Sequence, residues 1–231
     1  GGVRRVFLAD GDAMVLPTRR LLEILGQLRE AFPDLQRVSS YCLPRNLAKK
    51  TVEELAQLKD AGLEILYVGM ESGDDEILRR VNKGETWEST RSALLKIREA
   101  GLTSSVMVLN GLGGENLSRQ HAINTATLCN ETQPDYLSTL VVSFPQGEER
   151  FREGFGDDFV PLSQKGLFEE IRLFLEHLEL DKTIFRSDHA SNYLVLKGTL
   201  GRDKQKMLDQ VNLAITNPGA APLRAEWMRG L

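Results

Sequence analysis

The sequence predicts an α/β fold built on a parallel sheet, and three observations carry that expectation. Short apolar runs of strand length alternate with amphipathic helical stretches five times in succession. The run from Leu63 to Met70 is almost continuously apolar and stops at Glu71, Ser72 and Gly73, as a strand buried on both faces does. The polar, glycine-rich segments all follow strands, at the C-terminal ends where parallel α/β folds bind ligands.

Taken in order, Val6 to Ala9 is a short strand closed by Asp10-Gly11-Asp12, and a helix follows with Thr18 as its N-cap. Leu21, Leu22, Leu25, Leu28 and Phe32 fall on one face of that helix. Arg37 to Tyr41 is the second strand, and Pro44, Arg45 and Asn46 mark a loop. Thr51 and Glu54 have the spacing of a capping box, with Gly62 closing the helix they open. The central strand comes next, then a short helix to Val81. A further helix, with Trp87, Leu94 and Ile97 inward, leads to a fourth strand from Thr103 to Leu109. A helix around Ser118 to Asn130 and a fifth strand from Tyr136 to Val142 complete the repeating part. Ala61-Gly62-Leu63 recurs as Ala100-Gly101-Leu102, each time where a helix gives way to a strand. Five such units favour a parallel barrel or a doubly wound sheet.

Past residue 150 the character changes, so the expected division is 1–150 and 151–231. Residues 151–160 read as a loop. Leu167, Ile171, Phe174, Leu175 and Leu178 mark a long amphipathic helix. A sixth strand over Thr183 to Ser187 and a last helix from Asp203 to Ile215 precede a loosely packed tail.

Composition narrows the function. The chain has 231 residues, 41% hydrophobic and 27% charged, with net charge −4, so no basic surplus points to nucleic acid. No apolar run reaches membrane-spanning length and no signal peptide opens the chain. Cys42 and Cys129 are far apart and read as reduced thiols of a cytoplasmic protein. The chain opens with two glycines instead of Met and enters a core strand within a few residues, which reads as a piece of a longer protein.

Several residues offer chemistry, each with a plainer alternative. Asp10 and Asp12 suit an amine or a metal, or an Asx-turn closing the strand. Glu71 suits ligand hydroxyls or an amine, or caps the helix after it. Gly113-Gly114-Glu115 presents either an anion-binding turn or an ordinary one; it is neither a P-loop nor a dinucleotide fingerprint. His189, with Arg186 and Asn192, forms a polar cluster at a strand end, whereas His121 and His177 look incidental within helices.

The ordered set of strand ends resembles the radical S-adenosylmethionine (SAM) enzymes. Gly69 to Gly84 is similar to that family's G-x-E-S-G-(polar)-D-E-x-L-R-x-x-N-K-G stretch after the fourth barrel strand. Asn110-Gly111-Leu112-Gly113-Gly114-Glu115 resembles its G-L-P-G-E turn, and Phe144-Pro145-Gln146-Gly147 its P-x-P-G-T region. Asp10-Gly11-Asp12-Ala13 sits where the family carries G-G-E-P after its second strand. The resemblance covers residues 3–150 and implies a partial (β/α)₆ TIM-type barrel lacking its first β/α unit in this chain.

The resemblance also implies roles. Asp10, Gly11 and Asp12 would hold the methionine amino group of SAM, Glu71 and Ser72 the ribose or methionine, and Asn110 and Gly111 the adenine. Arg45 is expected to pair with the SAM carboxylate on chemical grounds instead of by the resemblance, since a guanidinium matches a carboxylate bidentately. Substrate contacts would come from Arg186, His189 and Asn192. The family's C-x-x-x-C-x-x-C ligands for a 4Fe–4S cluster are absent, so this chain by itself is expected to be inactive. The intact enzyme would take an electron from a flavodoxin- or ferredoxin-like reductant, cleave SAM to a 5′-deoxyadenosyl radical and abstract hydrogen from a substrate, small-molecule or other, that the sequence does not identify. Two competing readings are a barrel lyase or isomerase using Glu71 and His189 as acid and base, and a non-catalytic binding module. The exposed first strand would favour a dimer.

Overall fold

The computed structural model describes residues 2–144, 147–156 and 159–230. In chain order the elements are β1 (Arg5–Leu8), α1 (Thr18–Ala31), β2 (Arg37–Cys42), α2 (Pro44–Leu47), α3 (Val52–Asp60), β3 (Leu63–Glu71), α4 (Asp75–Arg80) and α5 (Trp87–Glu99). They continue as β4 (Thr103–Asn110), α6 (Gly114–Thr132), β5 (Tyr136–Val141), α7 (Glu149–Phe155), α8 (Gln164–His177), β6 (Ile184–Ser187), β7 (Leu196–Thr199) and α9 (Lys204–Thr216). The strands form one sheet in sequential order. β1, β2 and β3 pair in parallel, as do β5 and β6, and β7 returns antiparallel on β6. The expected α/β fold with a mostly parallel sheet is what the chain adopts, and its sheet has two ends, as a partial barrel does.

The described residues group into two compact units, one within 2–69 and 88–106, the other within 70–87 and 107–230. In the first, α1 buries Leu21 and Leu25, α3 buries Leu55 and Leu58, and β2 and β3 bury Val38 and Leu66. Both bonds of the Thr51–Glu54 capping box form. Ala61 caps α3, and Gly62 just beyond it takes φ +109°, a backbone angle that favours glycine. Phe7, Tyr41 and Tyr67 line up across three strands with ring centroids 4.7, 5.3 and 6.4 Å apart. In the second unit, α8 packs between α6 and α9. Phe155 and Phe159 are buried with Ile77 and Leu112, and Phe144 and Phe151 pack against them.

Local structure departs from expectation in five places. Pro17, not Thr18, is the N-cap of α1, and Thr18 is its first helical residue. The Pro44–Asn46 loop is a helical turn, because Pro44 occupies a first-turn position where its missing N–H is harmless. Residues 151–155 belong to α7. β7 is an unforeseen seventh strand. The tail is tied down: Arg224 donates to the carbonyls of Asp188, His189 and Asn192, and Arg229 donates to that of Ser191. The Arg229 guanidinium also stacks 3.6 Å from the Tyr193 ring centroid.

Candidate functional site

In the first unit, β1 ends in an open turn. Asp10 has φ +61° and Gly11 φ +131°, both are exposed, and no atom lies within 4 Å of where a Cβ on Gly11 would stand. Asp12 is engaged. Its Oδ1 accepts from the Met14 N–H at 2.8 Å, and its Oδ2 accepts from the Leu43 N–H and from Asn46 Nδ2. One carboxylate thus caps the turn after β1 and fastens the segment after β2 to it, leaving little acceptor capacity for a ligand. Arg45 is exposed on α2.

In the second unit, β3 ends in a strained turn. The Ser72 N–H donates to the Met70 carbonyl at 2.7 Å across Glu71, which is held at φ +59°. Lys83 Nζ lies 2.8 Å from Glu71 Oε1, while Oε2 is buried without a hydrogen-bond partner. An acidic oxygen left in that state at a strand end has capacity for a donor from outside the chain.

Behind Glu71 lies a buried polar network. Ser72 is fully buried; its Oγ sits 2.8 Å from His121 Nδ1 and accepts from the Asp74 N–H. His121 Nε2 lies 3.0 Å from the Leu109 carbonyl oxygen, which can only accept, so Nε2 carries a proton. Asp74 caps α4 through the Ile77 N–H and accepts from Gln120 and Asn124 of α6. Gly73 lets α6 approach: a Cβ there would stand 2.6 Å from the Asn124 carbonyl oxygen. At the end of β4, Asn110 Nδ2 donates to the Leu167 carbonyl, and the Gly111 N–H donates to Glu170 Oε1 at 2.6 Å. Ser118 Oγ donates to Glu170 Oε2, also at 2.6 Å. Burial pushes the Glu170 carboxyl above the usual range, against the pull of His121, Ser118 and the Gly111 N–H.

The expected site residues therefore differ in availability. Asp10, Gly11 and Arg45 are exposed, and Glu71 keeps an unused oxygen. Ser72, Asn110 and Gly111 are committed to internal bonds. Of the strand-end cluster, Asn192 is buried and donates to the Thr139 carbonyl, and His189 Nδ1 pairs with Ser191. Glu71 pairs with Lys83 and His189 with Ser191, so neither is the other's partner. His121 is not incidental; with Glu170 it organises the ends of β3 and β4. His177 only bonds the Leu173 carbonyl of its own helix. Of the Phe144–Gly147 motif, Pro145 and Gln146 lie outside the described residues.

Among the described residues, no three His, Cys, Asp or Glu side chains are grouped to hold a metal. Cys42 and Cys129 are both buried, and burial pushes the Cys129 thiol up to about 12, far from the thiolate a cluster needs. No helix among the described residues is long and apolar enough to cross a membrane.

Residues 1–126 match the Radical SAM superfamily, more than half of the chain, and the chain belongs to that family. It is 23% identical over 126 residues to the heme chaperone HemW of Bacillus subtilis, an alignment covering 54% of this chain and 33% of that protein. Its fold is similar to an N-terminally deleted Elp3 from Methanocaldococcus infernus, with TM-score 0.61 and 15% identity over 90% of this chain and 54% of that one. It is equally similar, with TM-score 0.61, to coproporphyrinogen III oxidase (HemN) from Escherichia coli, at 22% identity over 75% of this chain and 40% of that one. The chain thus spans about a third of that curated relative and about half or less of these solved chains. The family implies SAM and a 4Fe–4S cluster. Within the second unit the orphaned Glu71 oxygen has room for a hydrogen-bond donor of the kind SAM carries; the two buried cysteines do not fit the cluster.

Proposed function

We propose that this chain supplies SAM-holding strand ends of a radical SAM enzyme, with the cluster ligands contributed by residues outside those described. The reaction class is cleavage of SAM to a 5′-deoxyadenosyl radical that takes hydrogen from a substrate. The observation that carries the reading is Glu71: a buried carboxylate oxygen without a partner, on a strained turn at the end of the central strand. Such an oxygen accepts a ribose hydroxyl or an ammonium. In the first unit, the exposed Asp10–Gly11 backbone takes the methionine ammonium and Arg45 its carboxylate, with Asp12 shaping that turn instead of touching the ligand. In the second, Ser72, Asn110 and Gly111 act by fixing the strand ends, Ser72 through His121 and Gly111 through Glu170.

The barrel part ends near residue 150, and residues 151–231 serve the substrate. An open recess of about 960 Å³, lined by Arg79, Asn82, Phe144, Phe151 and Glu153, is the proposed substrate side. Arg186 and His189 stay exposed and are proposed as further substrate contacts outside that recess's lining, whereas Asn192 anchors its loop. The complete enzyme works in the cytoplasm with a flavodoxin- or ferredoxin-like reductant.

Titration of this chain with SAM by calorimetry tests the reading without iron. We expect saturable binding, weakened about tenfold by Glu71→Ala, roughly 1.4 kcal/mol. Absence of SAM binding by the folded chain, or binding indifferent to Glu71→Ala, overturns it.

A further inference from the structure

The stretch from Glu71 to Trp87 is bent around one short helix. α4 buries Ile77 and Leu78, and both of its ends are fastened. Asp74 caps the first turn through the Ile77 N–H. At the other end the Asn82 N–H donates to the Arg79 carbonyl at 3.1 Å and the Lys83 N–H to the Leu78 carbonyl at 3.0 Å, with Asn82 at φ +51°. That is a Schellman closure with Asn in the left-handed position. It turns Lys83 back to the strand end from which the helix started. There Lys83 Nζ donates to Glu71 Oε1 at 2.8 Å, across 12 positions of sequence.

This ion pair is not a surface one. The Glu71 and Lys83 side chains are 13% and 19% exposed, so solvent screens their charges only weakly. The other charged groups of the stretch are engaged. Asp74 also accepts from Gln120 and Asn124, and Asp75 accepts from the Trp87 N–H. Glu76 holds Arg79 and Arg80. Glu85 is buried and has a partner of its own, and Lys83 makes a contact besides this pair. Glu71 Oε2 alone among these carboxylate oxygens is buried without a hydrogen-bond partner.

We infer that Lys83 decides which kind of donor that oxygen accepts. With an ammonium already on Oε1, a cation on Oε2 would share one carboxylate with a like charge at a poorly screened position. A neutral hydroxyl meets no such repulsion and still gains a charge-assisted hydrogen bond. Lys83 thus acts by exclusion, as specificity often does. The inference rests on the reading of Glu71 as a SAM contact. It selects between the two donors that Oε2 could take: a ribose hydroxyl is accepted there and an ammonium is turned away. Lys83 works through Glu71 and is a positioning residue.

The probes are adenosine, 2′,3′-dideoxyadenosine and 3′-amino-3′-deoxyadenosine with its amine protonated, which differ only at the sugar. Each is titrated calorimetrically into the full 231-residue chain. Adenosine should bind about tenfold more tightly than either analogue. Lys83→Gln keeps a donor for Oε1 and removes the charge. It should shift the ratio of adenosine to amino-analogue affinity by about tenfold toward the amine. Lys83→Arg should keep the parent ratio, and Glu71→Ala should bind all three alike. A lysine with a purely structural role would weaken all three together and leave the ratio unmoved. If Lys83→Gln does not fold, Lys83→Met is read in its place. Three results overturn the inference while sparing the SAM reading: a parent chain that binds the amino analogue as tightly as adenosine, an unmoved ratio in the neutral variant, or no adenosine binding by a chain that binds SAM. A folded chain that binds neither adenosine nor SAM overturns both.

Discussion

At the residue scale, His121 holds two buried partners at once. Ser72 Oγ, fully buried, pairs with one ring nitrogen, and the Leu109 carbonyl, whose other bond is a longer one from the Leu112 N–H, accepts from the other. Truncation to His121→Ala therefore strands the buried Ser72 hydroxyl, at about 1–3 kcal/mol, weakens the bonding of the Leu109 carbonyl and leaves a cavity where the buried ring stood. The expected loss is about 2–5 kcal/mol in urea unfolding, and a loss below about 0.5 kcal/mol would show that the network does not form. This residue was unreadable beforehand, since its partners lie 49 and 12 positions away and a histidine in a helix looks the same whether it is buried or solvated. Glu170 was hidden for the same reason, standing 59 positions from the Gly111 N–H it accepts. Glu71 was legible because the run that ends at it is strongly apolar and stops abruptly. Its strained φ and its unused oxygen were not, because both depend on where Lys83 and the turn at Met70–Ser72 settle.

At the element scale, β1 is the end strand of the sheet order, with its outer edge unpaired by any other strand of that sheet. Beside it, Phe7 and Tyr41 are 40% and 52% exposed in a continuous aromatic row. An open edge next to exposed rings is a template for strand addition by a second copy. Sedimentation velocity should show concentration-dependent association, and Phe7→Lys, a charged gatekeeper in that strand, should reduce it severalfold. A parent chain monomeric across the whole range would sink this expectation. Elements with strong local signals were readable: the capping box of α3, the apolar run of β3, the amphipathic stripe of α8. β7 was not, because Leu196-Lys197-Gly198-Thr199 is four residues long with a central glycine and no alternation, and it exists through pairing with β6. α7 was hidden by Gly154 within it, Gly156 just beyond it and its acids, and the tail's anchoring rests on guanidinium-to-carbonyl bonds that leave no periodic trace.

At the scale of the whole molecule, carboxylates shifted in opposite directions make stability depend on pH in two senses. The Arg202 guanidinium, with the Thr199 N–H, holds the Asp203 carboxyl down at about 2, and Lys197 holds Asp188 low. A depressed carboxyl stabilises the folded chain above the ordinary carboxylate range, and that contribution is lost as pH falls through the folded value. Glu170 works the other way. Burial raises its carboxyl above the reference value of 4.5, so the folded chain keeps the proton more readily than the unfolded chain. Its contribution is complete below that reference and is lost as pH rises through the raised value. A tenfold change in proton affinity between the folded and unfolded chain corresponds to about 1.4 kcal/mol, which moves the midpoint of a chain this size by roughly 2–4 °C. Comparison with Glu170→Gln isolates the effect, since every other titrating group is shared. Gln keeps an oxygen for the Gly111 N–H and an amide for Ser118 but carries no proton to lose. Thermal melts from pH 4.5 to 8 should therefore show the parent chain losing stability relative to Glu170→Gln as pH rises. Parallel curves would mean that Glu170 titrates normally and that α8 does not seal the end of β4.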